Sequence, residues 1–192
     1  MPVSHNEGGR RMQDEARTVL EDFRNGHPET FNSAFETLFH MYQRTVYGWL
    51  LRIVRNPAAA EELTVEAFWR IYRAHARFDP SRGFEAWART IATHAAIDWL
   101  RTQKAETELL VDVPATPTGD PAISAEIRRK TAAAFARLPP KLRVAAVLAV
   151  VEELPHKEIA ATLGISVTAV KVRVFRALRL LRTDLQQQGI TP

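Results

Sequence analysis

Five cations recur along one continuous helical pattern near the end of the chain. In the stretch KEIAATLGISVTAVKVRVFRALRLLR they are Lys171, Arg173, Arg176, Arg179 and Arg182. Cations spaced in this way can bind a polyanion, because each one can neutralise a phosphate and release its counterions. The alternative is a plain solvated helix face. Because the run follows a glycine turn and leaves Phe175 among the cations, the pattern favours duplex DNA as the ligand.

The histidine and glycine patterns give no support to an enzyme. The six histidines, at positions 5, 27, 40, 75, 94 and 156, form no close pair with metal-ligand spacing, and there is no glycine-rich phosphate loop. The chain also has no cysteine, which excludes disulfides and thiolate zinc sites and fits a reducing compartment. We therefore expect no catalytic residue, no metal and no cofactor.

The excess positive charge is concentrated in the last third of the 192-residue chain. Residues 126–192 carry 12 Lys and Arg against 5 Asp and Glu, whereas residues 1–102 carry 13 of each. A polyanion is therefore expected to bind the C-terminal part. No apolar run is long enough to span a membrane, and the first residues lack the apolar segment of a signal peptide. We expect a cytoplasmic protein without membrane insertion.

Helices must position these cations. Apolar residues recur at helical spacing from Phe35 to Ile53, from Leu63 to Tyr72 and from Trp87 to Leu100, and no strand pattern is convincing. Asn56-Pro57 separates the first two helices, and the stretch FDPSRGF requires a loop before the third. The predicted fold class is all-α.

A segment containing three prolines and four acids divides the chain. It covers residues 103–125 and shows no sustained helical period, which predicts a flexible linker between two small helical domains. Residues 103–124, extended at ~3.3 Å each, reach roughly 73 Å, which is about two turns of duplex DNA. The predicted organisation is a tail and lead-in helix over 1–30, a helical domain over 31–102, the linker, and a second helical domain over 126–192.

The C-terminal block has the pattern of a helix-turn-helix. Pro155 and Gly164 bracket a helix of two turns, and Ser166 is a good N-cap for the longer helix that follows. The second helix of such a motif enters the major groove, where Lys and Arg donate to guanine and apolar groups contact the thymine methyl. Its predicted core-facing stripe is Val170, Val174, Ala177, Leu178 and Leu181.

Two stretches resemble one protein family. LPPKLRVAAVLAVVEELPHKEIAATLGISVTAVKVRVFRALRLLR resembles the fourth conserved region of the extracytoplasmic-function sigma factors of bacterial RNA polymerase, and AEELTVEAFWRIYRAHARFDPSRGFEAWARTIATHAAIDWLR resembles the second. The likeness covers about residues 31–102 and 126–185, in the family's order. It implies a sigma factor that binds the clamp and flap of core RNA polymerase, recognises and opens promoter DNA, and has an anti-sigma protein as a partner.

The resemblance also implies site residues by position. Those matching the readers of the upstream (minus-thirty-five) duplex are Lys157, Thr168, Lys171, Val172, Arg173, Phe175 and Arg176. Those matching the capture of unstacked minus-ten bases are Arg82, Phe84, Trp87, Arg89, Thr90 and His94. Those matching the clamp-binding helix are Glu61, Glu62, Leu63, Glu66 and Phe68. The alternative for the aromatic rings is a place in the core, and for the acids a solvated helix face.

The residues leave two other functions open. A conventional helix-turn-helix repressor or activator would usually read a palindrome as a symmetric dimer, but the matching upstream block argues against it. A sigma-like decoy that binds an anti-sigma protein without touching DNA should have lost its reading cations, and Lys171, Arg173 and Arg176 remain. The family commonly has serine at the position of Val172, so we expect a changed upstream element.

Overall fold

Every regular element in the structure is helical. The structure is a computed structural model that describes residues 7–102 and 121–190. The helices are α1 (Glu7–Asn25), α2 (Phe31–Val54), α3 (Pro57–Ala74), α4 (Phe84–Thr102), α5 (Pro121–Arg137), α6 (Pro140–Ala146), α7 (His156–Leu163) and α8 (Val167–Gln187). Two 3-10 turns, His75–Arg77 and Pro80–Arg82, join α3 to α4, and a π-helical turn, Val147–Val151, follows α6. The all-α prediction is confirmed.

Local sequence signals set the helix boundaries. Asn56 caps α3 by accepting a hydrogen bond from the backbone N–H of Ala59 at 3.1 Å, and Pro57 occupies the first turn, where no N–H is needed. The loop predicted from FDPSRGF is the 3-10 turn, which ends at Gly83 with φ of 73°. Helix α4 starts immediately afterwards, so the turn fixes the position of its first residue.

Helices α1 to α4 form the N-terminal part around an aromatic core. Phe23 of α1 is fully buried, and its ring centroid lies 5.9 Å from those of Phe78 and Phe84 and 6.2 Å from that of Trp87. The sequence predicted only a tail and lead-in helix over residues 1–30. In the structure, α1 also packs into this core, and Phe23 joins it to His75 of the first 3-10 turn, to Phe78 and to α4.

Helices α5 to α8 form the C-terminal part. The predicted core stripe of α8 is confirmed for Val170, Val174, Ala177 and Leu181, which are all buried. The prediction is wrong for Leu178, which is 45% exposed because it lies about 70° from the centre of the stripe at 3.6 residues per turn. Helix α5 begins at Pro121, so the last residues assigned to the linker are helical. The remainder of the predicted linker, residues 103–120, lies outside the described residues.

The apolar cores of the two parts are continuous. Helix α4 packs against α6 and α7, and Ala92, Val144 and Ile159 belong to one buried cluster. An ion pair between Arg52 of α2 and Glu152, just after the π-helical turn, also joins the parts. The sequence did not predict this contact. Within the described ranges, no helix is long and apolar enough to cross a bilayer.

Candidate nucleic-acid interface

The turn between α7 and α8 has the geometry that the sequence predicted. Gly164 ends α7 with φ of 61°, a left-handed conformation that glycine adopts without strain. Ser166 then caps α8 by accepting a hydrogen bond from the backbone N–H of Ala169 at 3.1 Å. The two residues fix where α8 starts and which side chains occupy its first turns.

One face of α8 presents cations and apolar groups to solvent. Six of the seven predicted duplex readers are exposed. Lys157 lies on α7, and the other five lie on α8: Thr168, Lys171, Val172, Phe175 and Arg176. Phe175 is 67% exposed, an unusual position for a large aromatic ring. Within the described ranges, no acidic side chain forms an ion pair with Lys171 or Arg176. Their charges are therefore available to an external anion.

The seventh predicted reader, Arg173, lies elsewhere. It is half-buried and lines a crevice of about 220 Å³ between the two parts of the molecule. From α4 the crevice is lined by His94, Asp98 and Arg101, and from α6 by Lys141. The structure thus places a predicted upstream reader beside His94, a predicted minus-ten reader.

Phe84 does not fit the predicted role of stacking on a captured base. Its side chain is 2% exposed, and rings of Phe23, Tyr42, Phe78 and Trp87 surround it at centroid distances of 4.9 to 6.0 Å. Phe84 is the first residue of α4 and its ring packs against Phe23 of α1, so it belongs to the core. This corrects the prediction, and the structural alternative is the right one for this residue.

Trp87 has a mixed environment. Its ring packs on Phe78 with centroids 5.1 Å apart, but the residue is only partly buried. Burial and the negative charge of Glu85 raise the pKa of the Tyr42 phenol, whose ring packs on Phe84, above its ordinary value of 10.0. The phenol therefore stays neutral and contributes to this cluster as a polar aromatic group.

The other predicted minus-ten residues differ in availability. The Arg89 guanidinium lies 4.7 Å from the centroid of the Trp49 ring and donates to Glu85 at 2.7 Å. Its main interactions are therefore with groups inside the protein. The Thr90 hydroxyl donates to the carbonyl of Ala86 at 3.0 Å. His94, one turn further along α4, is exposed. Arg82 lies in the 3-10 turn that precedes α4.

The predicted clamp-binding residues on α3 fall into two groups. Glu61 and Glu62 are exposed, and Glu66 is partly exposed. Leu63 and Phe68 are buried in the core, as their apolar periodicity indicates, and their contact with polymerase stays a prediction. They hold α3 in place and leave its acidic face outward.

Glu66 is not a free acid. It accepts a hydrogen bond from Arg70 at 2.7 Å, and Arg70 also donates to Asp98 of α4 at 3.1 Å. The hydrogen bond with Glu66 is the main cause of a raised pKa of Arg70, which keeps the guanidinium charged. This network links α3 to α4, and the sequence did not reveal it because the partners lie on different helices.

Two exposed apolar residues were missed among the acids of α3. Val65 is 68% exposed, and Trp69, one turn later, is 55% exposed and stacks on Tyr72 with the rings 4° from parallel. The signal was present in the sequence, because both residues fall outside the core-facing period of Leu63, Phe68 and Ile71. Exposed apolar residues grouped on one helix face mark an interaction surface.

The comparisons with known proteins cover both parts. Residues 38–106 match the family described as Sigma-70 region 2, and residues 128–181 match Sigma-70, region 4. The chain is 37% identical over 171 residues to the RNA polymerase sigma factor CarQ of Myxococcus xanthus, covering 85% of this chain and 93% of CarQ. It is 30% identical over 167 residues to the ECF RNA polymerase sigma factor SigW of Bacillus subtilis (strain 168), covering 80% of this chain and 89% of SigW.

A solved structure shares the fold. The sigma factor RpoE, in complex with the anti-sigma factor NepR from Bartonella quintana, matches with a TM-score of 0.63 and 18% identity, over 79% of this chain and 96% of RpoE. The family resemblance found in the sequence is confirmed, in preference to a conventional repressor. The chain belongs to the extracytoplasmic-function (ECF) sigma factors, non-catalytic subunits of RNA polymerase that direct promoter recognition and transcription initiation.

Proposed function

We propose that α8 reads the upstream promoter element as duplex DNA, with its N-terminal half in the major groove. The observation that carries the proposal is the exposed face of Lys171, Val172, Phe175 and Arg176 on a helix whose start is fixed by the Ser166 cap. Lys171 and Arg176 are suited to guanine or phosphate, while Val172 and Phe175 are suited to the thymine methyl. Thr168 lies in the first turn, and Lys157 on α7 is placed to contact the backbone.

The proposed minus-ten contacts involve α4 and the turn before it. Trp87, Thr90 and His94 lie at spacings of three and four residues, so they share one helix face. The partly exposed Trp87 ring is a stacking surface for one unstacked base, which is worth ~1–3 kcal/mol and offsets part of the cost of unstacking. Arg82 belongs to the proposed site through its place in the turn before α4, and Arg89, which is paired with Glu85, supports this face from within the fold. The buried Phe84 supports this surface from below and does not touch the base.

The proposed contact with core RNA polymerase is the outward face of α3. Its exposed acids, Glu61 and Glu62, flank the apolar pair Val65 and Trp69. An exposed tryptophan with charged residues around it is the usual composition of an energetically dominant contact in a protein interface. We assign this face to the polymerase clamp and the C-terminal part to the flap, which places the protein in the cytoplasm with the polymerase.

An anti-sigma protein is the proposed regulator. RpoE from Bartonella quintana, whose fold this chain shares, is bound to the anti-sigma factor NepR in its crystal structure. A protein of that kind would compete with polymerase for the exposed apolar residues of α3. The competition is testable, because a single substitution at Trp69 should weaken binding of both the polymerase and the anti-sigma protein.

Transcription in vitro tests the proposed function. The purified chain is mixed with core RNA polymerase and a library of promoter fragments, and the start sites of the transcripts are sequenced. Initiation from fragments that share an upstream and a minus-ten element is the expected result. DNA binding without initiation would indicate a repressor, and binding to neither DNA nor polymerase would indicate a decoy.

A pair of charge reversals tests the polymerase surface. Glu62→Lys should reduce the affinity for core polymerase at least tenfold. A tenfold loss corresponds to ~1.4 kcal/mol, which is a modest part of the binding free energy of a protein interface. Glu29→Lys is the matched control, because Glu29 is exposed in the connection between α1 and α2. Equal affinity of both variants and the parent chain would remove α3 from the proposed interface.

A further inference from the structure

We propose that a second copy of this chain docks its α3 on α8, so that the surfaces assigned to polymerase and to upstream DNA cover each other. The docking itself stands on two exposed apolar seams with opposite charges, one on each helix. Its consequence rests on the proposed function, because the seams overlap the residues assigned to polymerase and DNA. The self-associated form is therefore inactive in transcription.

Helix α8 carries a second seam besides its buried stripe. The members of this α8 seam recur at steps of four, three, four and three residues, which is the spacing of a helix that packs along another helix. They are Lys171, Phe175, Leu178, Arg182 and Leu185. The first four are exposed and Leu185 is half-buried. Leu178 has no part in the proposed reading of DNA, so its exposure next to Phe175 indicates a further partner.

Helix α3 carries a seam with the same spacing. The members of this α3 seam, again at steps of four, three, four and three, are Ala58, Glu62, Val65, Trp69 and Tyr72. The first four are exposed, and the half-buried Tyr72 ring stacks on that of Trp69. On the opposite side of α3, Leu63, Ala67 and Ile71 are buried in the core. The apolar centre of the seam therefore faces solvent.

The charges along the two seams are complementary. Along α8, the exposed charges at the seam are the cations Lys171, Arg179 and Arg182. Along the first turns of α3, they are the acids Glu61 and Glu62. Opposite charges around matching apolar centres steer two surfaces together and fix how they pair. A second copy of the chain thus supplies the acidic, apolar helix that fits the α8 seam.

The positions of the charges favour an antiparallel pairing of the helices. Glu62 lies in the second turn of α3, and Arg182 lies six residues from the end of α8, so an antiparallel crossing brings them together. A parallel crossing instead places the exposed Arg73 beside both Arg179 and Arg182, which repel it. In the antiparallel crossing, Arg73 lies near a single seam cation, Lys171. The pairing of Glu62 with Arg182 is therefore the one to test.

The docking occupies both functional surfaces at once. Glu62 and Trp69 belong to the face assigned to polymerase, and Lys171 and Phe175 belong to the face assigned to duplex DNA. The contact joins two different faces, so two copies close on each other when both contacts form, and otherwise a longer chain grows. A single helix pair is smaller than the interface of a stable complex, so we expect a weak association that polymerase can displace.

Sedimentation velocity of the full chain over a range of concentrations tests the docking. The weight-average sedimentation coefficient of the parent should rise with concentration, and less so at high salt, because salt screens exposed charges. Glu62→Arg brings two cations together, and Arg182→Glu brings two acids together. Each should weaken the association on the order of tenfold or more, because like charges facing each other in an interface are costly. A parent chain that stays monomeric at every concentration would overturn the inference.

Mixing the two single variants makes the test specific. In the mixture, the reversed charge of each variant meets the reversed charge of the other, and the unchanged Glu62 of one meets the unchanged Arg182 of the other. Association should therefore return in the mixture, which also shows that both variants are folded. Glu29→Arg and Arg44→Glu are matched controls at exposed positions outside the seams, and they should associate like the parent. A mixture that stays monomeric would refute the pairing of α3 with α8.

Leu178→Gln separates this inference from the proposed function. Leu178 lies outside the proposed polymerase and DNA contacts, so the variant should initiate transcription like the parent at low chain concentration and should self-associate less. Initiation per molecule of the parent should fall as the chain concentration rises, and Leu178→Gln should remove most of that fall. Self-association that Leu178→Gln leaves unchanged would overturn the α8 seam. A failed transcription assay with a restored mixture would refute the proposed function and leave the docking in place.

Discussion

Replacing Phe23 with alanine should destabilise the N-terminal part strongly. The ring is fully buried and contacts the rings of Phe31, Phe78, Phe84 and Trp87 with centroid distances of 5.6 to 6.2 Å. A buried Phe→Ala substitution typically costs 3–5 kcal/mol, because apolar contact is lost and a cavity remains. For a chain of this length, that loss corresponds to a fall in Tm of roughly 6–20 °C at ~2–4 °C per kcal/mol.

Thermal and urea unfolding, followed by circular dichroism, would measure this loss. Phe175→Ala is the matched control, because it removes the same ring from a position that is 67% exposed. It should change the free energy of unfolding by about 0.5 kcal/mol or less while weakening binding to upstream duplex DNA. A cost below about 1 kcal/mol for Phe23→Ala, or equal costs for the two variants, would refute the packing of α1 on the turn and α4.

Three further expectations concern the helix-turn-helix. Lys171→Ala should reorder the binding preference among point-varied upstream duplexes by ~1–3 kcal/mol, whereas Arg179→Ala should weaken binding to all of them alike and lower the slope of log affinity against log salt by about one. Competition binding at two salt concentrations would measure both effects, and the opposite pattern would mean that α8 is misplaced in the groove. Ser166→Ala should cost ~1 kcal/mol of stability in urea unfolding, and Ser166→Asp should retain the cap. Gly164→Ala should cost ~1–2 kcal/mol, because alanine is strained at its φ of 61°; no loss would mean that the turn can relax.

Local signals made the helix boundaries and the face of α8 predictable. Asn56, Gly164 and Ser166 act within three or four residues of their own positions, so their roles can be inferred without knowledge of the tertiary structure. The exposure of Phe175 followed from its place outside the buried stripe. The family resemblance identified the chain as a sigma factor. The local signals alone would have indicated only a DNA-binding protein.

Contacts between helices were not predictable in the same way. The burial of Phe84 depends on Phe23, which lies 61 positions earlier on a helix that the sequence assigned to a lead-in segment. The link from Glu66 through Arg70 to Asp98 joins two helices, and the pair of Arg52 with Glu152 joins two parts of the molecule. A single sequence does not specify which exposed-looking charges will meet in space.

The position of Phe23 also has a consequence for the order of events on the ribosome. The Phe23 ring cannot contact Trp87 until 64 further residues have been synthesised, and their synthesis takes roughly 3–13 s at ~5–20 residues per second. During that interval the apolar face of α1 has no aromatic partner from α4, and the nascent chain exposes it to chaperones. Once α4 has emerged, the aromatic core can form before most of α5 to α8 has been translated. Glu152, the ion-pair partner of Arg52, is made later still, so the ion pair between the two parts forms after the N-terminal part is complete.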